Sequence, residues 1–132
     1  MIESCVNTAE KRRTRSLVVD FLKTFQELAT KDRVYFKSRS KNLDSMAELG
    51  LTPMLAEQML LELDVCDYYK GMSQEAGDPS EEVCEFGVNH LGEAVYIKLT
   101  IDKKRQKALC ISFHIAEREM QHPLSEPLEE ET

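Results

Sequence analysis

The chain has 132 residues and a mass of 15.2 kDa, with 42% hydrophobic residues, 31% charged residues and a formal net charge of -7. This composition is typical of one globular domain, and neither a membrane span nor a secretory signal is expected from its apolar runs. The four cysteines are widely spaced without a C-x-x-C pair, which argues against zinc coordination and indicates a reducing, cytoplasmic compartment.

The charges are unevenly distributed along the chain. Residues 10–41 hold ten Lys and Arg against four acidic residues, whereas residues 42–93 hold twelve acidic residues and a single base, Lys70. The basic segment, which ends in a run that contains Lys37 and Arg39, is a candidate flank for attracting RNA. The alternative is that both segments are solvated faces, and the overall acidity argues against indiscriminate binding of nucleic acid.

The N-terminal half of the chain begins with a predicted amphipathic helix. Residues 1–14 are expected to be a flexible N-terminus, and the helix is predicted from Arg15 to Lys31 because apolar side chains recur there at helical spacing. These side chains are Leu17, Val18, Phe21, Leu22, Phe25 and Leu28. A short strand candidate follows at residues 34–36.

Two shorter helices are predicted next. Gly50 is expected to close the second helix in a left-handed conformation. Thr52 and Pro53 predict the start of the third helix, because a capping hydroxyl precedes a proline at the first helical position. The buried stripe of this third helix is predicted to consist of Leu55, Met59, Leu60 and Leu63.

The C-terminal half predicts an antiparallel sheet. Residues 83–88, 94–101 and 108–115 alternate apolar and polar side chains, so each predicted strand has one apolar and one polar face. On the last strand the apolar face is predicted to consist of Leu109, Ile111, Phe113 and Ile115. N-terminal helices packed on one face of a C-terminal antiparallel sheet make an α+β fold.

Two segments around the predicted strands are expected to be irregular. A turn or short strand at residues 67–73 leads into an exposed loop at residues 74–80, which is rich in turn-forming residues. Residues 117–132 contain two prolines and a closing acidic run, and we expect them to form a flexible acidic tail.

The expected strand pairing gathers polar side chains on the open face of the sheet. A turn at residues 103–107 pairs Tyr96 with His114 if both apolar faces are to meet one core. A connection at residues 89–93 then makes Glu85 the neighbour of Tyr96. Lys98 lies on the same predicted face, so a carboxylate, a phenol, an ammonium and an imidazole share one patch.

Such a patch meets the chemical needs of metal-free RNA cleavage, in which a 2′-hydroxyl attacks the adjacent phosphate. A carboxylate accepts a proton, an ammonium stabilises negative charge, and an imidazole protonates the leaving oxygen. The alternative is that these side chains merely face water on a half-exposed sheet. Acid–base chemistry on a small phosphorylated metabolite is a third hypothesis, which no glycine-rich phosphate loop supports.

Four sequence strings resemble the MqsR family of bacterial mRNA interferase toxins, which belong to type II toxin–antitoxin systems. The strings are AELGLT at residues 47–52, DYYKGM at 67–72, YIKLTI at 96–101 and ISFH at 111–114. The resemblance covers roughly residues 15–115, in matching order and with similar spacing. It implies a single toxin domain of RelE-like fold at residues 15–116. It also implies metal-independent mRNA cleavage without a cofactor, and neutralisation by an antitoxin.

The resemblance also implies roles for particular residues. The lysine of the family's D-[FY]-Y-K motif falls on Lys70, and the tyrosine of its Y-[IL]-K strand falls on Tyr96. His114 stands where the family has a lysine after Ser-Phe. The family's glutamine falls on Val83, a departure for which Glu85, two residues further on, would substitute.

The combined hypothesis is a toxin that acts as an mRNA endoribonuclease in the bacterial cytoplasm. It would leave 2′,3′-cyclic phosphate and 5′-hydroxyl ends. The expected catalytic residues are Lys70, Tyr96, His114 and Glu85, and the expected RNA-binding residues are Lys98, Tyr68, Lys37 and Arg39. The expected partners are mRNA and a zinc-binding helix-turn-helix antitoxin, which would provide the only link to DNA. The alternative is a catalytically decayed toxin that only binds its antitoxin or RNA.

Overall fold

Three α-helices pack against a five-stranded sheet in the computed structural model, which describes residues 2–72 and 82–125. The helices are α1 (Ile2–Lys31), α2 (Ser40–Leu49) and α3 (Pro53–Leu61). The strands are β1 (Val34–Phe36), β2 (Tyr68–Gly71), β3 (Val83–His90), β4 (Glu93–Asp102) and β5 (Lys107–Ile115). The sheet order is β1-β5-β4-β3-β2, antiparallel except for the parallel pair β1 and β5, and the predicted α+β fold is confirmed. The loop predicted at residues 74–80 lies outside the described residues.

Helix α1 lies on the core through the predicted apolar stripe. Its buried side chains are Val18, Phe21, Leu22, Phe25 and Ala29, with Leu28 packed against them. The spacing of three and four residues explains why these side chains share one face. The helix extends back to Ile2, so the segment predicted to be a flexible N-terminus is helical from that residue onwards.

The predicted C-terminal end of α2 and the predicted start of α3 are both confirmed. Gly50 has φ 72° and its N–H bonds the carbonyl of Ala47, which closes α2 in the left-handed conformation. The Thr52 hydroxyl accepts the N–H of Leu55 at 3.2 Å at the start of α3. However, the Leu55 side chain is 49% exposed, and Ala56 takes the buried position instead. Residue 56 is in helical phase with the buried residue 60, whereas residue 55 is not.

The covered face of the sheet consists of large apolar side chains that are almost completely shielded from water. Its fully buried members are Cys84, Phe86, Val95, Ile97, Leu99, Cys110 and Phe113. Removing a large apolar side chain from water contributes about 1.5–3 kcal/mol to folding. The covered face is therefore a large source of stability and holds the strands in place.

The hairpin between β3 and β4 is tighter than predicted. Leu91 and Gly92 form a two-residue turn with φ values of 53° and 88°, as turns that match the strand twist require. Gly87 therefore pairs with Tyr96, and Glu85 pairs with Lys98. The predicted Glu85–Tyr96 pairing is wrong by two residues, but a shift of two keeps every side chain on its predicted face.

The predicted pairing of β4 with β5 is confirmed at one end and wrong at the other. Tyr96 pairs with His114 as predicted, but the register shifts between Lys98 and Leu99, so Leu99 pairs with Cys110. A bulge of this kind inserts one extra residue and reverses the faces of the strand beyond it. In the first half of β5 the core positions are therefore occupied by Ala108 and Cys110, not by Leu109 and Ile111.

Two polar side chains of α2 bind the free edge of β5, where β1 ends. The Asn42 amide donates to the Ile111 carbonyl at 3.1 Å and its Oδ1 accepts the Phe113 N–H at 3.1 Å. The Ser45 hydroxyl accepts the Ile115 N–H at 3.1 Å. Since buried backbone groups need partners, these contacts satisfy the end of β5 that carries His114.

Residues 116–125, which we call the C-terminal strap, return from β5 across the open face. A Cβ atom at Gly87 would lie 2.6 Å from Cε and 2.8 Å from Sδ of Met120, so the strap lies directly on that glycine. Leu124 is 1% exposed in the core, and its carbonyl accepts a hydrogen bond from Arg15 at 3.4 Å. Residues 117–125, the start of the predicted flexible tail, thus lie against the domain through Met120 and the buried Leu124. The rest of that prediction, residues 126–132, lies outside the described residues.

Candidate active site

A cleft of about 310 Å³ lies on the open face of the sheet, and β2, β3, β4 and β5 all contribute to it. It is lined by Tyr69, Lys70, Glu85, Tyr96 and His114 from the sheet, and by Ala116, Glu117, Arg118 and Met120 from the strap. The four residues predicted to be catalytic thus lie in one cleft, although they come from four different strands.

Glu85 and Tyr96 are joined by a short hydrogen bond. The Tyr96 hydroxyl donates to Oε1 of Glu85 at 2.7 Å, even though the two residues are diagonal neighbours in the register. Burial and this bond together raise the pKa of the Tyr96 phenol. Tyr96 is therefore a neutral hydrogen-bond donor at physiological pH. Among the residues that the structure describes, none bonds the second oxygen of Glu85, so this oxygen can accept from a ligand.

His114 lies beside Tyr96, with the two ring centres 5.1 Å apart. Its Nδ1 is 3.0 Å from the carbonyl oxygen of Ile115. Because a carbonyl oxygen only accepts, Nδ1 must carry the proton in this bond, which leaves Nε2 to exchange a proton with a ligand. The imidazole can therefore act as a base when neutral and as an acid when charged.

Lys70 enters the cleft next to a bulge in β2. Tyr68 pairs with Phe86 and Lys70 pairs with Glu85, so Tyr69 is the extra residue between them. The Lys70 ammonium lies 5.3 Å from the centre of the Tyr69 ring, and that ring meets Tyr96 edge to face at 6.5 Å. Among residues 2–72 and 82–125, Lys70 forms no ion pair, so its charge is available to an anion.

Tyr68, predicted to bind RNA, lies in the core and not on the cleft. Its side chain is 7% exposed, packs edge to face against Phe86, and donates its hydroxyl to the Gly71 carbonyl at 2.8 Å. Burial raises the pKa of Tyr68 to about 12. The expectation that its ring stacks on bases is therefore wrong, and the neighbouring Tyr69 is the aromatic side chain that faces the cleft.

The remaining three candidates for RNA binding do not line the cleft. Lys98 is half-buried and pairs with Glu85 and Ser112, two residues further along β4 than Tyr96 and on the same face. Lys37 and Arg39 are exposed between β1 and α2, at the opposite edge of the sheet from β2. Their predicted contacts with RNA stay predictions for a surface beyond the cleft.

The cysteines of the sheet belong to the core. Cys84 and Cys110 are fully buried, and burial raises the pKa of the Cys84 thiol to about 12. In the part of the chain that the structure describes, no three His, Cys, Asp or Glu side chains are grouped so that they could hold a metal ion. No helix of the described ranges is both long and apolar enough to cross a membrane.

The structure is that of a small α+β protein whose open sheet face carries a cleft lined by a carboxylate, a phenol, an imidazole and an ammonium. A family profile described as motility quorum-sensing regulator, toxin of MqsA, matches residues 20–115. The match covers most of the chain, and the protein belongs to this family of toxins from toxin–antitoxin systems. A comparison with curated proteins found no match. The profile includes every cleft residue of the sheet and ends immediately before the strap.

Sequence reasoning missed Gly87 and the strap, and it did not settle which of Tyr68 and Tyr69 lies in the core. A glycine inside an alternating strand indicates that another part of the chain approaches closely. Gly87 was such a signal, and Met120 is the group that approaches it. The isolated Leu124 within a polar C-terminal segment was a second signal, because it is buried in the core.

Proposed function

We propose that the protein is the toxin of a type II toxin–antitoxin system and acts as a metal-independent mRNA endoribonuclease in the bacterial cytoplasm. The supporting observation is the meeting of Glu85, Tyr96, His114 and Lys70 in one cleft of a protein from a toxin family. RNA carries its own nucleophile, the 2′-hydroxyl, so its cleavage needs only a base, an acid and a stabiliser of negative charge.

In this mechanism Glu85 and His114 exchange the protons. Glu85 removes the proton of the 2′-hydroxyl with the carboxylate oxygen that does not bind Tyr96. The 2′-oxygen then bonds to phosphorus while the bond between phosphorus and the 5′-oxygen breaks. His114, charged and held through Nδ1, gives its Nε2 proton to the departing 5′-oxygen. The products are a 2′,3′-cyclic phosphate and a 5′-hydroxyl.

Lys70 stabilises the phosphate as it gains negative charge, and Tyr96 positions the base. The Lys70 ammonium is a mobile point charge at the edge of the cleft, and the Tyr96 phenol keeps Glu85 oriented. The half-buried Tyr69 ring lines the cleft, and we assign to it the stacking of a base of single-stranded RNA. The site therefore has a catalytic part, formed by Glu85, His114, Lys70 and Tyr96, and a base-binding part, formed by Tyr69.

A second candidate function is that of a decayed toxin that binds its antitoxin or RNA without cleaving. The observation that favours it is Val83, which stands at the first position of β3 where the family pattern has a glutamine. A valine supplies no acid, base or hydrogen bond. In either case the partner we propose is an antitoxin with a zinc-binding domain and a helix-turn-helix.

Inducible expression in bacteria separates the two functions. The wild-type chain should stop growth and fragment mRNA, whereas Lys70→Ala and His114→Ala should restore growth, because loss of an acid–base group slows such reactions about 10²–10⁴-fold. The matched control is Lys104→Ala, an exposed lysine in the turn before β5. Purified wild-type protein should cleave RNA equally well in EDTA. Wild-type rates in both cleft variants would contradict the assigned roles, and intact mRNA with the wild type would favour the binding function.

A further inference from the structure

The strap adds a wall to the cleft that the family domain does not include. The family match ends at residue 115, and the strap begins at residue 116. Both ends of the strap are held: the Ala116 N–H bonds the Ala94 carbonyl at 2.9 Å, and Leu124 is buried in the core. Met120 rests on Gly87, which pairs with Tyr96. The segment between these anchors therefore crosses the cleft beside Tyr96.

Arg118 is the cation that the strap brings to this wall. Glu117 is ion-paired with Lys41, which lowers the pKa of the Glu117 carboxyl and compensates its negative charge. Arg118 lines the cleft and, within residues 2–72 and 82–125, forms neither a hydrogen bond nor an ion pair of its own. A free guanidinium on an acid–base cleft is suited to bind an oxyanion through two parallel hydrogen bonds.

The strap and Lys70 lie at different places along the cleft. Lys70 pairs with Glu85, whereas the strap rests on Gly87, one step nearer to the β3–β4 turn on the same face. Two cations on one cleft can each neutralise a different phosphate of the same strand.

We propose that Arg118 binds the RNA phosphate adjacent to the scissile one, so that the strap selects a polynucleotide over a dinucleotide, which has only the scissile phosphate. This inference rests on the proposed endoribonuclease function. In the bound state Lys70 contacts the scissile phosphate, and Arg118 contacts its neighbour. The contact holds the strand in register with Glu85 and His114, and it takes no part in proton transfer.

The test compares full-length Arg118→Ala, Arg118→Lys and the control Arg105→Ala, an exposed arginine in the turn before β5, on a single-stranded RNA oligonucleotide with one cleavage site. Arg118→Ala should raise KM roughly tenfold, with kcat within about twofold, because a charge-assisted contact to the ground state is lost. The lysine variant should fall between the wild type and the alanine variant, and Arg105→Ala should match the wild type. The salt dependence of binding by Arg118→Ala should be shallower by about 0.7 in slope, as expected for one lost phosphate contact to a single strand.

An uncharged analogue of the adjacent phosphate tests whether Arg118 contacts that phosphate. Replacing the adjacent phosphate by an uncharged methylphosphonate should raise KM for the wild type and have no further effect on Arg118→Ala. Equal KM values for wild type and Arg118→Ala, or effects of protein and RNA changes that simply multiply, would overturn this inference while leaving the proposed function intact. A wild-type protein that cleaves no RNA would overturn both.

Discussion

The two faces of the sheet divide stability and chemistry between neighbouring residues. Phe86 and Glu85 are adjacent in β3, yet Phe86 is fully buried beneath the helices, whereas Glu85 lines the cleft and accepts the hydroxyl of Tyr96. The same division separates Ile97 from Tyr96 in β4. Because strand side chains alternate, one backbone serves both purposes, and a substitution on one face should leave the property of the other face largely unchanged.

The largest expected effect on the free energy of unfolding comes from removing a core aromatic side chain. Phe86→Ala should lower the free energy of unfolding by about 3–5 kcal/mol, because it leaves a cavity where a fully buried ring was packed. Urea denaturation followed by circular dichroism measures this change. Glu85→Gln is the matched control, and its stability should lie within about 0.5 kcal/mol of the wild type, since the amide oxygen still accepts from Tyr96.

For RNA cleavage activity, the order of the two effects should be the reverse of the order for stability. Phe86→Ala, assayed where it is folded, should retain RNA cleavage, whereas Glu85→Gln should lose most of it because an amide does not remove a proton. If Glu85→Gln unfolded as readily as Phe86→Ala, the two faces would not be separable.

A smaller effect is expected on the stability of the folded protein at alkaline pH, through Tyr96. The folded-state pKa of Tyr96 is raised above its ordinary value near 10, so the unfolded chain loses this proton first as the pH rises. The stabilising contribution of the neutral phenol is therefore complete below about pH 10 and is lost as the pH rises further towards the folded-state pKa. Tyr96→Phe should lose less stability than the wild type between about pH 10 and 11.

Thermal unfolding across this pH range provides the measurement. The stability difference between wild type and Tyr96→Phe should be constant from about pH 7 to pH 9 and should shrink above that range. Tyr68 and Cys84 also have raised pKa values because of burial, so both proteins should become less stable at high pH. Parallel curves for the two proteins throughout would contradict the assigned environment of Tyr96.

Alternation along the strands predicted the faces of the sheet better than the pairing of its strands. The faces of Glu85 and Tyr96 are correct even though their predicted pairing is wrong, because an error of two residues preserves the face. The bulge in β5 could not be found in the same way, since Leu109 and Ile111 are as apolar as core residues. At this edge of β5, Asn42 and Ser45 of the distant helix α2 hydrogen-bond the strand backbone, and local sequence does not indicate these contacts.

The cleft was predictable where the residues belong to regular strands and unpredictable where tertiary contacts decide. Lys70, Tyr96 and His114 follow from strand pattern and family resemblance. Which of Tyr68 and Tyr69 faces the cleft depends on the bulge in β2, which local sequence does not indicate. The strap depends on the long-range packing of Leu124, for which no periodic pattern exists.

The most direct test of the account is the dependence of cleavage on the 2′-hydroxyl of the substrate. In EDTA, the purified protein should cleave a single-stranded RNA and leave a 2′,3′-cyclic phosphate and a 5′-hydroxyl, as mass spectrometry of the products would establish. The same RNA with a 2′-O-methyl group at the nucleotide before the cleaved bond should remain intact. Cleavage of the methylated RNA, or products with 3′-hydroxyl and 5′-phosphate ends, would contradict the mechanism assigned to Glu85 and His114.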